Sequence, residues 1–264
     1  MSLFQKTGRN IHLTKYGAEF LAYVNKGPRA DRQGHRHHEE LRRTGDGGKI
    51  DLGCIITVQT DFIPKLLNGY KAAAGGVAFN VREDTSIPLV KDLLSGCYDV
   101  VFCAKGNEDP DLAYVPVLTQ KVVVAMSSDC PLVEKEFVTP TDLLEQHLIT
   151  YVDTIPLGRA VRRMLDECGI KNVEYSYLDE SILAGFAANG VEAAVMLDTF
   201  LLRSVDDVVV RPFYPSALDR RSCHHRVYMA YSTKNYHPYR VDHFIQHVIE
   251  TKALKPDPNA CYID

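Results

Sequence analysis

From residue 49 to residue 197 the chain alternates short, β-rich apolar runs with longer stretches whose apolar residues recur every three or four positions. Those two rhythms mark strands and amphipathic helices. The first unit is KIDLGCIITVQTDFIP. Its run over 50–56 predicts a strand, Thr57, Val58, Gln59 and Thr60 a polar turn, and Phe62, Ile63, Leu66, Leu67 and Tyr70 one face of a helix. Thr60 or Asp61 is placed to cap that helix, and Pro64 falls in its first turn, where a missing N–H costs little. A strand over 77–81 and a polar turn over 82–85 come next. Ser86 then caps a helix with Ile87, Val90, Leu93 and Leu94 inward, closed by Gly96 before a strand over 100–103. A connection through Asp109-Pro110 leads to a long β stretch over 113–126.

The scheme then repeats. Residues 148–152 predict a strand, 153–156 a turn, and Val161, Met164, Leu165 and Cys168 a helix that ends at Gly169. A strand over 173–177 precedes a helix starting at Glu180 with Ile182, Leu183, Phe186 and Ala187 inward; Asn189-Gly190 stops it before a strand over 193–197. Two such units predict an α/β chain of two doubly wound, mainly parallel-sheet lobes. Ligands bind such sheets outside the carboxyl ends of the strands. The expected cleft is therefore lined by Thr57, Val58, Gln59, Thr60, Thr85 and Ser86 on one side and by Thr154, Ile155, Leu157 and Gly158 on the other. A strand over 225–232 and a helix over 238–251, with Val241, Phe244, Ile245, Val248 and Ile249 inward, suggest a return to the first lobe.

Composition narrows the class. At 264 residues, 45% apolar and 24% charged, the chain is long enough for two lobes with substantial cores. No apolar run approaches the roughly 18 residues of a membrane span, and MSLFQKTGRN lacks the apolar centre of a signal peptide. A cytoplasmic protein with no membrane partner is expected. Seven cysteines, an odd number with no C-x-x-C pair, suggest reduced and mostly buried thiols. Net charge is −4, but residues 1–48 carry nine lysines and arginines against five acids. That asymmetry points to a basic, nucleic-acid-facing arm.

The first residues carry a resemblance. LFQKTGRNIHLTKYGAEFLAYV combines a Leu-Phe, basic residues, an apolar-x-Leu-Thr and a Gly, with a helix opening at Thr14. It resembles the wing and the start of the linker helix of LysR-type transcriptional regulators, and the next 200-odd residues resemble that family's effector-binding domain. The resemblance implies lobes of the periplasmic-binding-protein type, a small-molecule effector in the cleft, DNA as partner of the full-length protein, and a homodimer or homotetramer. It implies a division into 1–48 (wing and linker remnant), 49–120 plus 225–264 (lobe I) and 121–224 (lobe II). Lys6 and Arg9 of the wing could touch DNA phosphates, but no recognition helix is present to read the major groove. The alternative is a free-standing two-lobed solute-binding protein.

One stretch departs from the family pattern. Over 26–39, KGPRADRQGHRHHE, Gly27-Pro28 breaks the linker helix and no large apolar residue appears until Leu41. It suggests either a solvated loop or the product of compensating frame shifts. His35, His37 and His38 lack a completing ligand and are not expected to hold a metal. Enzyme chemistry finds no support: there is no G-x-S-x-G, Walker, dinucleotide or H-E-x-x-H motif. Neither a cofactor nor a metal is expected. His243 and His247 suggest a solvent-facing pair, and Asp179-Glu180 two acids complementing a helix dipole. Neutral donors with few nearby basic residues suit a small organic acid, mono- or dicarboxylic, with Ile155 and Leu157 as an apolar wall.

Overall fold

The first residues form an antiparallel hairpin of β1 (Phe4–Thr7) and β2 (Asn10–Leu13), with Phe4 opposite Leu13. In this computed structural model the described residues are 3–7, 10–15, 17–18, 21, 49–106, 108–216, 221–255 and 260–263. Arg9 and the whole of 26–39, with its three histidines, lie outside them. Thr14 Oγ1 accepts from Gly17 N at 3.0 Å, as expected of a cap. Lys15 pairs with Asp51 and, at 3.3 Å, with Asp99, which ties the hairpin segment to the sheet behind it.

The apolar run at the start of the first lobe is β3 (Lys49–Cys54), buried throughout from Ile50 onward. Such burial on both faces belongs to an inner parallel strand. A four-residue helix, α1 (Ile56–Gln59), replaces the expected polar turn and leads into α2 (Phe62–Ala74), closed by Gly75 at φ +74°. Then follow β4 (Ala78–Glu83), α3 (Ser86–Leu94) and β5 (Val100–Cys103). β3 pairs in parallel with both β4 and β5. The face of α3 differs from expectation. Ser86, Leu89 and Leu93 are buried, whereas Ile87 and Leu94 are 53% and 39% exposed. The buried set follows the helical i, i+3, i+7 spacing and covers the sheet; the other two apolar residues are outside that stripe.

β6 (Leu112–Ser127) is one strand shared by two halves of the sheet. Its first half pairs with β11 (Cys223–Ser232) and its second with β9 (Ala193–Leu197) and β10 (Val208–Pro212). Between them lie α4 (Pro140–Leu143), β7 (Leu148–Tyr151), α5 (Pro156–Glu167), β8 (Val173–Tyr177) and α6 (Glu180–Ala188). The sheet order is β4-β3-β5-β11-β6-β9-β7-β8, with α7 (Tyr239–Lys252) and the short β12 (Cys261–Tyr262) completing the chain. The fold is thus α/β, with parallel strands flanked by helices in each half. β10 and β12 were not expected from the sequence.

Buried apolar side chains fall into separate clusters. One joins Ile50, Leu66 and Phe102 to Val227, Phe244 and Val248; another joins Val124, Ile149, Leu165, Leu183 and Val195. The second also takes in Cys223 and Ile263. The tail at 260–263, expected with the first lobe, therefore packs with the second, because β12 adds to the start of β11 in register Cys223↔Cys261. On α6, Leu183, Ala184 and Ala187 face inward, while Ile182 and Phe186, expected there, are 44% and 37% exposed. Among the described residues no helix is long and apolar enough to cross a membrane.

Candidate functional site

Strand register brings the two halves edge to edge. β6 enters the second half at Val122, which faces Leu197, the last residue of β9. Asp198 N, one residue on, donates to Lys121 O at 2.8 Å. β11 crosses back at His225, opposite Gln120. Since β5 ends at Cys103 against Tyr228, the carboxyl ends of both parallel sets face the crossing at 120–121 and 224–225. Such strand ends are the binding edge of an α/β sheet.

On the first side, Thr57 is 7% exposed and its Oγ1 is buried with no hydrogen-bond partner among the described residues. Gln120 Nε2 donates to Thr57 O at 3.2 Å, and Gln120 Oε1 is equally buried and unpartnered. A buried polar atom left without a partner costs about 1–3 kcal/mol, and two such atoms stand at this crossing. Gln120 was expected only as a crossing point; its pairing with Thr57 spans 63 positions and left no local signal. Ser86 is buried, and rather than capping α3 its Oγ accepts from Ala104 N at 3.1 Å, fastening the end of β5. Thr85 precedes it in extended conformation, with its N–H donating to Asp84 Oδ1 at 2.6 Å.

Other residues fill different roles. Val58 is fully buried in the first apolar cluster and its N–H already donates to Ile55 O, so it offers packing rather than a donor. Gln59 and Thr60 are exposed. On the second side Thr154 is exposed, Ile155 half-buried, and Leu157 and Gly158 buried in the first turn of α5. Arg159 Nη1 donates to Thr154 O at 2.9 Å, and Arg162 pairs with Asp153, so both cations are turned onto the turn itself. Glu83 and Asp84 stand at the end of β4, where negative charge disfavours a multiply charged anion. Lys6 lies in β1.

Beneath the second edge is a buried carboxyl that the sequence did not single out as such. Asp179 caps α6 through Oδ1, accepting from Ser181 N and Ile182 N at 2.9 and 3.2 Å. Glu180, expected to share that role, turns inward and is 0% exposed. Its Oε1 accepts from Tyr151 Oη at 2.7 Å, and Tyr151 Oη accepts from Leu197 N at 2.8 Å. The three groups pin the ends of β7 and β9 together. Burial pushes the Glu180 carboxyl up to about 7, against the pull of the Tyr151 hydrogen bond.

Two features lie away from this edge. A cavity of about 340 Å³, lined by residues including Ser127, Asp129, His147, Gly190 and Glu192, opens at the amino ends of β7 and β9. Beside it the ligating atoms of His147, Glu174 and Glu192 lie within 4.8 Å of one another. The cavity has the size for a small ligand, but His147 Nδ1 is satisfied by Glu192 Oε1 at 2.7 Å. The buried, unsatisfied groups at the crossing are the stronger sign of a ligand. His243 is exposed, as expected, and His247 is half-buried; both rings flank Tyr70, whose Oη lies 3.0 Å from His243 Nδ1.

Comparison with known families settles what kind of protein carries this edge. The model of the LysR substrate binding domain matches residues 43–253. The chain belongs to the LysR family. A curated relative, the uncharacterized HTH-type transcriptional regulator YybE of Bacillus subtilis, is 23% identical over 197 residues, covering 74% of this chain and 67% of that protein. The chain spans 49% and 48% of two further regulators, about half their length. Among solved structures, the effector binding domain of QuiR in complex with shikimate superposes with a TM-score of 0.70 at 18% identity, covering 78% of this chain and 97% of that one. Full-length CbnR complexed with target DNA gives 0.63 at 16% identity, covering 95% and 84%. The LysR fold is thus shared with effector-binding domains and with whole DNA-binding regulators.

Proposed function

We propose that this LysR-family chain senses a small organic acid held at the lobe crossing, and that the whole, cytoplasmic protein uses that binding to control transcription. Lobe I would comprise 49–120 and 225–255, lobe II 121–224 with 260–263. Residues 1–48 would supply the wing and linker of the DNA-binding module. The carrying observation is the pair of buried, unpartnered atoms Thr57 Oγ1 and Gln120 Oε1. A hydroxyl donor suits a carboxylate, and a carbonyl acceptor beside it suits a hydroxyl on the same ligand, so a hydroxylated acid fits best. QuiR, whose structure contains shikimate, a cyclic hydroxylated carboxylate, supports that class. Such an effector acts through its different affinity for two lobe arrangements.

The test is a thermal-shift screen of carboxylic and hydroxycarboxylic acids, followed by calorimetry on Thr57→Val. This change keeps the volume and removes an unsatisfied hydroxyl, so the folded chain is expected to be no less stable while affinity falls about 5- to 150-fold, corresponding to about 1–3 kcal/mol. Stabilisation by nucleotides or sugars alone, or unchanged binding by the variant, would contradict the assignment.

Self-association is expected as well. Leu178, Ile182, Phe186 and Val191 are between 37% and 60% exposed along and beside α6, an apolar surface of the kind that marks an interface. Ile182→Glu should shift sedimentation toward monomer without loss of stability. A variant that sediments like the parent would rule this face out.

A further inference from the structure

Cys223, Cys261 and Cys168 come together where the chain makes its last crossings. Cys223 opens β11 and is 1% exposed; Cys261 opens β12 and is half-buried; Cys168 follows the last residue of α5, its Sγ 3.9 Å from Pro215 O. Cys223 and Cys261 are direct partners in the parallel pairing of β11 with β12. Neighbouring strands lie about 4.7–4.9 Å apart. A disulfide needs Cα atoms separated by about 4.4–6.8 Å, so the register already meets the requirement. β12 is a two-residue strand whose described pairing is with β11, and it can adjust its backbone more easily than an inner strand.

We propose that Cys223 and Cys261 form an oxidisable dithiol that closes to an intrachain disulfide when the protein meets a peroxide. Cys261, the more exposed, is oxidised first. Its thiol releases a proton, the thiolate attacks a peroxide oxygen and the O–O bond breaks; the departing hydroxide takes up that proton, so the products are a Cys261 sulfenic acid and water. The Cys223 sulfur then attacks the Cys261 sulfur; the S–S bond forms, the S–OH bond breaks, and the hydroxyl leaves as a second water with the Cys223 proton. Two thiols lose two electrons and one hydrogen peroxide becomes two waters. Burial, then Cys261 itself, pushes the Cys223 thiol up, which slows the second step in free solution, but the partners are held adjacent in the sheet. Reducing conditions would normally keep the pair open, so the bond would be transient.

The position gives the bond a consequence. β11 crosses between lobes at His225, and residues 254 and 261–263 span the same boundary: Leu254 N donates to Pro116 O in the first half, while Ile263 packs in the second core. A Cys223–Cys261 disulfide would staple these two crossings together. That consequence rests on the two-lobed sensing proposed above; formation of the bond does not.

The experiment treats the 264-residue chain with hydrogen peroxide and maps its peptides without reduction. Free thiols should fall by two from the seven of the reduced chain, and a Cys223–Cys261 peptide should appear that reductant abolishes. Cys261→Ser should lose the linked peptide and Cys168→Ser should retain it. Linkage through Cys168 or the exposed Cys97, links between chains only, or no loss of thiols would overturn the proposal.

Discussion

Glutamine in place of Glu180 is expected to remove a fall in stability that the unaltered chain shows as pH rises from about 4.5 toward neutrality. Glu180 is fully buried, with Oε1 held by Tyr151 and Oε2 lacking a hydrogen-bond partner among the described residues. The charged groups around it offer no relief: Tyr151 is neutral, its hydroxyl pushed far up by burial, and Asp179 is negative. Burial therefore raises the carboxyl from 4.5 to about 7 in the folded chain. The folded state holds this proton more tightly than the unfolded state. Its contribution is fully present below pH 4.5 and is lost as pH rises through 7, by about 3 kcal/mol. Glutamine cannot ionise, so its profile should be flat in that window. Urea unfolding of both chains from pH 4.5 to 8 measures the difference; parallel profiles would show that Glu180 does not titrate as argued.

Gly158→Ala should destabilise the chain by about 1–3 kcal/mol or more, because a methyl there meets backbone. A Cβ at Gly158 would stand 2.0 Å from Val152 O and 2.7 Å from Val152 C, in the turn where β7 gives way to α5. A flexible side chain could move aside; the backbone of Val152, whose N–H donates to Tyr177 O at 2.8 Å, cannot without shifting the turn that carries Thr154 and Ile155. Gly185, in the middle of α6, has nothing within 4 Å of its Cβ position. Gly185→Ala should accordingly hold or raise stability, by up to about 1 kcal/mol from helix propensity. Denaturant midpoints of the two variants decide the matter, and equal stability would mean that the close approach at Gly158 is not rigid.

Periodicity carried most of the fold, and the places where it failed have physical reasons. The runs at 50–54, 100–103 and 193–197 gave inner strands because strands covered on both faces are continuously apolar. On α3 and α6 the helices were found but their faces were misjudged at Ile87, Leu94, Ile182 and Phe186. Apolar residues on both sides of a helix leave its orientation open until the sheet beneath is known. β10 and β12 are short and acquire their strand character from partners 80 or more positions earlier or 38 positions away, which no local window contains.

The candidate site was legible in part. Strand ends with Thr and Ser pointed to Thr57 and Ser86, but hydroxyls alone do not reveal which are already occupied: Ser86 supports β5, whereas Thr57 is unpartnered. Gln120 and Glu180 were invisible as site residues because a polar residue in an apolar strand, or a second acid at a helix start, has an ordinary local explanation. Only burial against a distant partner distinguishes them.

The central claim concerns where an effector sits. Crystals of this chain grown with the acid that most raises its melting temperature should show the carboxylate within about 2.5–3.2 Å of Thr57 Oγ1, with a ligand hydroxyl directed at Gln120 Oε1. Density for the acid in the cavity beside His147 and Glu192, with Thr57 and Gln120 untouched, would contradict it.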